Sequence, residues 1–223
     1  SKSSWLRFLY RLNTRLLGSE TRIESPDNSR GQEASGQRWA AMSIAQGMFT
    51  PADLTREDII SDDRPYAGLL LASLTLVRNS GRTQTSWGGG LGVVGPLSLA
   101  EAAQKWLHQT YGWTEPRGWP NQLKNEPVVD IWVSRFWTVL GSEEQEKGWY
   151  PALKAGLGGQ LGNLMTGLEA ILDFRFGLNV QPGQEVLLPA PLFNSIPLTG
   201  VKRTSIYAFC QVTGRALARN LLI

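Results

Sequence analysis

The chain has 223 residues and a formal net charge of +3 at pH 7. It is therefore long enough for one domain with a substantial interior, and its small charge does not indicate a nucleic-acid partner. Its single cysteine, Cys210, excludes an intrachain disulfide and a cysteine metal cluster, and we interpret it as a small apolar strand residue. No run of about 18 apolar residues occurs, which excludes a transmembrane helix.

The amino-terminal segment differs from the rest of the chain. In residues 5–17 the apolar positions follow helical spacing, while Arg7, Arg11 and Arg15 step by four along another face. This spacing predicts a basic amphipathic helix, which either lies on an anionic lipid surface or caps one mouth of a barrel with its arginines in water. Residues 18–37 are rich in Ser, Glu, Asn and Gly and predict a mobile loop.

After this segment the dominant periodicity is two. In residues 168–178 one parity is apolar and the other carries charges of both signs, and residues 149–161 repeat the pattern with small and polar residues on the second face. Further strand candidates are residues 38–50, 67–79, 82–94, 128–140 and 204–215, with a last strand beginning near Leu217. In a water-soluble sandwich the apolar parity would form the core and the charged parity would face solvent.

Strand length favours a membrane protein over a soluble one. The candidates run about 11 to 14 residues, whereas a globular strand has roughly five or six and a tilted membrane-crossing strand is longer. Trp39, Trp87, Trp137 and Trp149 lie near strand ends, as in the aromatic girdles of outer-membrane barrels. We therefore favour an all-β, antiparallel transmembrane β-barrel over a soluble all-β domain, with about eight strands present and residues 1–223 as a single domain.

One segment predicts a helix instead. Between the breaker pair Gly95-Pro96 and Gly112, residues 100–109 contain good helix formers and few β-branched residues, so Gln104 and His108 share one helical face. His108 is the only histidine of the chain, and histidine is the side chain best suited to act as a general base near neutral pH. An amide beside an imidazole can orient a water or a substrate carbonyl, although a lone histidine on a helix can also be structural.

A series of separated short motifs runs through the chain. They are Gln46-Gly47-Met48-Phe49-Thr50-Pro51-Ala52-Asp53, Asp62-Asp63-Arg64-Pro65-Tyr66-Ala67-Gly68, Gly95-Pro96, Gln104, His108, Gly118-Trp119, Gln122-Leu123 and Glu126-Pro127, with weaker matches at Arg175-Phe176-Gly177 and from Gly214-Arg215-Ala216 to Asn220. In this order they resemble the LpxR-type lipid A 3′-O-deacylases of the Gram-negative outer membrane. Several motifs in one order are far more specific than one short pattern.

The resemblance implies a fold and a reaction. The fold is a twelve-stranded antiparallel barrel with a short helix in an extracellular loop, here residues 95–127, and an active site between that helix and the barrel wall. The reaction is hydrolysis of the ester that holds the 3′-linked acyloxyacyl group of lipid A. His108 is implied as the base that deprotonates water, Gln104 as its neighbour in the site, and calcium as a required cofactor that stabilises the oxyanion.

The resemblance also implies partners and a location. We expect the bacterial outer membrane, lipid A or lipopolysaccharide as the partner, and a monomer. A covalent serine mechanism is less attractive, because no Gly-x-Ser-x-Gly elbow occurs.

Residues around the helix-bearing loop are candidates for substrate binding or for support of the site. They are Asp62, Asp63, Arg64, Tyr66, Trp119, Gln122 and Glu126. The charges before the second strand contact lipid A phosphates or steady the helix, or else Arg64 pairs with a carboxylate in a structural loop. Glu126 orients the loop or merely starts a strand. Trp106 and Trp119 line an acyl-chain groove or pack under the loop.

Two family segments have no counterpart here. They are an Asn-Asp pair on the first strand and a Thr-Asn-Gly segment opening the second, which include a calcium-binding carboxylate, so the metal ligands stay unassigned. The chain begins with Ser and ends at Ile223, where the family pattern continues. We therefore expect a fragment of a complete enzyme rather than a truncated, inactive product.

Two other functions stay open. One is a non-catalytic barrel that serves as a pore or scaffold, and the other is a phospholipase-like, calcium-dependent esterase. The inward charges Lys154, Glu169, Asp173 and Arg175 suit either a water-filled lumen or a rigid, filled interior. Strict strand alternation also places the long connection 179–202 at the end opposite His108, where outer-membrane barrels usually have short turns. Either a strand is miscounted or this turn is atypical.

Overall fold

A computed structural model describes the chain at residues 38–141, 147–180 and 204–222. Within these ranges seven antiparallel strands form one sheet in chain order, and one α-helix, α1 (Ala100–Tyr111), lies between the third and fourth strands. The strands are β1 (Arg38–Phe49), β2 (Ala67–Ser80), β3 (Thr83–Val94), β4 (Glu126–Leu140), β5 (Trp149–Gly162), β6 (Met165–Leu178) and β7 (Ile206–Asn220). The amphipathic helix and mobile loop expected in residues 1–37 lie outside the described residues.

The strand predictions are confirmed except at the carboxyl end. The prediction of a separate strand beginning near Leu217 is wrong, because β7 runs without interruption to Asn220. The pairing of β6 with β7 shifts register there, from Gly167 opposite Leu217 to Thr166 opposite Arg219. The extra residue is a β-bulge, which changes the parity of the side chains without ending the strand. The described residues therefore hold seven strands rather than about eight.

The two faces of the sheet are inverted relative to a soluble protein. On β6 the charged residues Glu169, Asp173 and Arg175 are at most 9% exposed, whereas Leu168 and Leu172 are 69% and 53% exposed. β4 repeats this pattern, with alternate residues buried and its outward valines exposed. A sheet that exposes a largely apolar face and buries the charges of β6 is adapted to a hydrocarbon solvent on that face. None of the helices in the described ranges is long and apolar enough to cross a membrane.

Polar partners meet on the inner face. The Asp173 and Arg175 side chains form an ion pair at 2.6 Å, and Arg215 of β7 reaches Glu169 at 3.2 Å. Serine hydroxyls on neighbouring strands pair at 2.6 Å, Ser86 with Ser134. Lys154 is also directed inward and buried. The buried charges therefore have opposite charges and hydrogen-bonding groups around them, which burial of an ion requires.

The inner face becomes apolar at the end of the sheet near α1. Ala67, Leu69, Val94 and Val128 form a buried cluster there with residues of the turn after β5 and of the end of β7. Phe49, Leu123 and Leu221 pack against it. This cluster fills the inside of the sheet at the same level as the helix on its outside.

The long connection between β6 and β7 joins strand ends opposite α1. Leu178 ends β6 and Ile206 begins β7, and the two residues pair with each other at that end. The predicted position of this connection is therefore confirmed within the described strands, and no miscounted strand precedes it. Outer-membrane barrels usually have short turns at this end, so the connection is atypical. Residues 181–203 lie outside the described ranges.

We expect Gly156→Ala to destabilise the sheet by about 1–3 kcal/mol, because overpacking a filled interior has this cost. A Cβ at Gly156 would lie 2.0 Å from the Phe136 ring, which is buried against Ile171. Urea unfolding in detergent micelles measures the change. Gly214→Ala is the matched control, since its Cβ would meet no atom within 4 Å. Equal unfolding midpoints for the two variants would contradict the prediction.

Candidate active site

The helix α1 lies on the outer, lipid-facing side of the sheet. Gly68 points outward at the beginning of β2, and a Cβ there would lie 2.5 Å from the Cβ of Ala100 and 2.1 Å from the Ser98 hydroxyl. Gln46, on the outer face of β1, donates a hydrogen bond of 2.6 Å to the Ser98 carbonyl. Because Gly68 has no side chain, the loop approaches the strand backbone directly.

Left-handed backbone positions delimit the helix. Gly95 has a φ of 103° and Leu99 a φ of 59°, so the chain turns sharply after β3 and enters the helix at Ala100. Gly112 ends the helix with a φ of 67°, and its N–H bonds to the His108 carbonyl. Glycine is the residue that most readily adopts this conformation at a helix end. The predicted helix is confirmed and extends two residues further than expected, to Tyr111.

A buried aromatic cluster anchors the helix. Trp119 is fully buried and donates a 2.8 Å hydrogen bond from its indole nitrogen to Oε1 of Gln104. Its ring packs edge-on against Tyr66, with 5.1 Å between ring centroids. The Tyr66 hydroxyl donates to the Leu54 carbonyl at 3.2 Å, and burial raises the pKa of this phenol. Trp119 and Tyr66 therefore pack under the loop and support the helix. Because Trp119 is buried, it does not line an open acyl-chain groove.

His108 is held by the loop that follows the helix. Its Nδ1 is hydrogen-bonded to the Thr114 carbonyl, and its ring meets Trp113 edge-on at 5.5 Å between centroids. Because a carbonyl oxygen can only accept, Nδ1 must carry the proton of this hydrogen bond. In the neutral ring the lone pair is then on Nε2. His108 is half-buried, so one ring nitrogen is fixed while the ring stays accessible.

Further polar residues lie along the same helix. Lys105 forms an ion pair with Glu101 at 2.7 Å, and Gln122 donates to the other oxygen of Glu101 at 3.4 Å. Gln122 thus links the segment after Trp119 to the first turn of α1. Its contact is with the helix, which fits the supporting role that we predicted for it.

The Asp62 to Tyr66 segment is tied to the chain by one carboxylate. Asp63 accepts hydrogen bonds of 2.7 Å from the backbone N–H groups of Ala52 and Arg64, which lower the pKa of its carboxyl group. Asp62 and Arg64 are exposed, and Arg64 forms no ion pair within the described ranges. Asp63 therefore holds the loop through backbone groups rather than through the expected arginine pair, and the charges of Asp62 and Arg64 stay exposed.

Glu126 begins β4 and points away from the helix. Its Oε1 accepts a 3.0 Å hydrogen bond from Asn163 in the turn after β5 and lies 3.7 Å from Arg219 of β7. Of the two roles considered for Glu126, this geometry fits the start of a strand. Among the hydrogen bonds and ion pairs of the described residues, Glu126 makes none with the loop that holds His108.

The described residues contain no cluster of charged or histidine ligands for a metal ion. No group of three or more histidine, cysteine, aspartate or glutamate side chains within them is placed to hold a cation. Asp53, the acidic residue of the first motif segment, is engaged by the backbone and hydroxyl of Thr55, which lower its pKa. The structure therefore assigns no carboxylate ligands to the expected calcium among the described residues, and calcium stays a prediction.

Gln46 contributes to the site although it is not among the residues predicted from the sequence to do so. It is the one polar residue on the outer face of the β1 segment that also carries Met42, Ile44 and Met48. A polar side chain in a lipid-facing row needs a partner, because hydrocarbon supplies none. That anomaly in the alternation could have identified Gln46 as a contact of the helix-bearing loop.

These features define an outer-membrane type of barrel sheet that holds a histidine-bearing helix on its lipid-facing wall. The sequence profile of the family described as "Outer membrane protein LpxR" matches residues 2–223. The chain therefore belongs to the LpxR family, and it is a protein of the bacterial outer membrane. No curated protein sequence matches it significantly.

A solved structure supports the fold. LpxR from Salmonella typhimurium superimposes with a TM-score of 0.69 at 17% sequence identity. The match covers 83% of this chain and 65% of the Salmonella chain, so the present chain matches less than two thirds of the length of that protein. At this identity the likeness establishes the antiparallel barrel fold, which confirms the predicted fold class.

We expect Trp119→Phe to loosen the helix-bearing loop. The phenyl ring keeps the packing against Tyr66 but leaves Oε1 of the buried Gln104 without its donor, at a cost of about 1–3 kcal/mol. Trypsin cleavage at Lys105 and Arg117, followed by mass spectrometry, should rise roughly 5- to 150-fold, because proteolysis of a transiently opened loop follows its opening equilibrium. Trp106→Phe, at an exposed position of the same helix, is the control and should leave cleavage unchanged.

Proposed function

We propose that this protein hydrolyses the ester of the 3′-linked acyloxyacyl group of lipid A, with His108 as the general base. The observation that carries the proposal is the Nδ1 hydrogen bond of His108 to the Thr114 carbonyl. It selects the tautomer in which Nε2 can accept a proton, and it does so on a helix that lies against the lipid-facing wall. A lipid ester at the membrane surface meets such a base without leaving the bilayer.

The proposed reaction balances with one water. Nε2 of His108 takes a proton from water as the oxygen attacks the acyl carbonyl, and an oxyanion forms. The ester bond then breaks, the imidazolium returns its proton to the sugar oxygen that leaves, and the acid is released. The backbone carbonyl of Thr114 and the edge-on ring of Trp113 keep the imidazole in one orientation throughout these steps.

We assign to Gln104 the orientation of the water or of the ester carbonyl. Its Oε1 is occupied by the Trp119 indole, so its amide can turn only with the loss of that bond. The NH₂ group remains as the donor for a reacting oxygen. Gln104 and His108 are four residues apart in α1 and therefore lie on one side of it.

Calcium remains part of the proposal through the family resemblance alone. When bound, a calcium ion would polarise the ester carbonyl as a hard Lewis acid held by oxygen ligands. The described residues lack a carboxylate cluster for it, so we assign no ligand and derive no step from it.

The inner face favours an enzyme over an open pore. An apolar cluster fills the inside of the sheet near α1, and the buried charges further along are paired with each other. An aqueous channel would instead be lined by exposed polar groups. No contact in the described site distinguishes a glycerophospholipid ester from a lipid A ester. Mass spectrometry of both lipid classes separates the two activities.

His108→Asn tests the assignment of the base. An asparagine amide can still donate to the Thr114 carbonyl, so the loop keeps its contact while the basic Nε2 is lost. We expect a loss of activity of about 10²- to 10⁴-fold, the usual contribution of general base catalysis. The measurement is mass spectrometry of lipid A and of glycerophospholipids from cells that express the protein containing this chain.

Gln109→Ala, at an exposed position next to His108, is the matched control and should retain activity. Loss of a 3′ acyloxyacyl mass that persists in His108→Asn would overturn the role of the base. Release of fatty acid from glycerophospholipids with intact lipid A would instead assign the protein to the phospholipase class.

Chelation tests the cofactor separately. We expect deacylation in isolated membranes to stop in excess EGTA and to return with calcium but not with magnesium, because magnesium demands a smaller octahedral site. The barrel fold, measured by its heat-modifiable electrophoretic mobility, should be unaffected. Full activity in EGTA would remove calcium from the mechanism and leave the assignment of His108 standing.

A further inference from the structure

The aromatic residues on the outer face are unevenly distributed between the two ends of the sheet. At the end opposite α1, the outward side chains of Trp137, Trp149 and Phe176 are 37%, 66% and 48% exposed. Trp149 and Phe176 contact each other, with 5.8 Å between ring centroids. This is the composition of an aromatic girdle at a membrane–water interface.

At the α1 end the described strands carry no outward aromatic residue. Their last outward positions are Gln46, Met48, Gly68, Leu70, Leu91, Val93, Val129, Leu161 and Leu168. Barrels are usually enriched in amphipathic rings at both interfaces. Within the described ranges, the strands do not provide such rings at the α1 end.

The helix-bearing loop carries such rings. Trp106, Tyr111 and Trp113 are 59–64% exposed, and the Tyr111 and Trp113 rings stack at 5.1 Å between centroids. Leu97 and Leu99, directly before the helix, are each 64% exposed. So many large exposed apolar side chains on one loop are unusual for a surface in contact with water.

The helix presents two different flanks beside its buried side. Ala100 and Gln104 face the sheet, and the helical turn of about 100° per residue then places Glu101, Lys105 and His108 on one flank. The opposite flank carries Ala103, Trp106 and Leu107. Since α1 packs on the outer face of β1 and β2, its exposed apolar side chains lie on the same side of the sheet as Ile44, which is 80% exposed.

We propose that the Trp106 flank of α1 inserts into the outer-leaflet interface of the membrane and supplies the aromatic girdle at this end of the barrel. The occupant of this surface is lipid, at the boundary between head groups and acyl chains. The proposal rests on the exposed rings of the loop, on the position of α1 on the outer face of the sheet and on the outer-membrane location. It also fixes the depth of His108, which lies on the other flank of the same helix.

Fluorescence quenching in vesicles tests this placement. A bimane label is attached to Trp106→Cys in a Cys210→Ser background, with the full chain in dioleoylphosphatidylcholine vesicles. Lys105→Cys is the matched control on the polar flank, and Ile44→Cys reports the hydrocarbon region. A shallow doxyl-labelled phosphatidylcholine should quench the label at position 106 several-fold more strongly than aqueous iodide does. The label at position 105 should show the reverse. The label at position 44 should be quenched by deep doxyl groups.

Stronger quenching of position 106 by iodide than by doxyl lipid would overturn the proposal, and so would equal behaviour of positions 105 and 106. A second measurement avoids labelling. Trp106→Gln should reduce the fraction of tryptophan emission that dibrominated phosphatidylcholine quenches, and an unchanged fraction would contradict insertion. Heat-modifiable mobility checks that each variant is folded, and none of these readouts depends on enzymatic activity.

Discussion

Hydrocarbon offers no hydrogen-bond partner to a peptide group or a charged side chain, and the arrangement of this protein follows from that constraint. Each strand pairs with the next along its length, so the backbone groups of the wall are satisfied by neighbouring strands. Every charge of β6 is directed inward, where Arg175 meets Asp173 and Arg215 meets Glu169. The same constraint explains Gln46, whose outward amide is acceptable because the loop provides the Ser98 carbonyl.

The candidate site depends on two kinds of support for one helix. A glycine, Gly68, lets the chain come close to the wall, and the hydrogen bond from Trp119 to Gln104 ties the middle of the helix to the segment beyond it. The Thr114 carbonyl, in the loop that follows the helix, accepts a hydrogen bond from Nδ1 of His108. The approach of the helix to the wall, the orientation of Gln104 and the tautomer of His108 thus depend on three separate contacts, each from a different part of the chain.

Much of the fold could be predicted, because alternation in a strand is a local property. Residues 168–178 show their two faces in the sequence alone, and the exposure of the side chains then decides which solvent each face meets. Local pattern fails at Leu217, where a bulge inverts the parity within one strand. His108 and Gln104 could be predicted as helical neighbours by their spacing. The Thr114 and Trp119 contacts could not, because they depend on how the loop returns after Gly112 and Gly118.

The apolar cluster inside the sheet bears on the passage of ions along the inner face. Leu69, Val94 and Val128 meet there at the α1 end, and an ion reaching them would have to shed its hydration against hydrocarbon side chains. Along the described wall, this end of the sheet is therefore a barrier to ions that is built from fixed side chains.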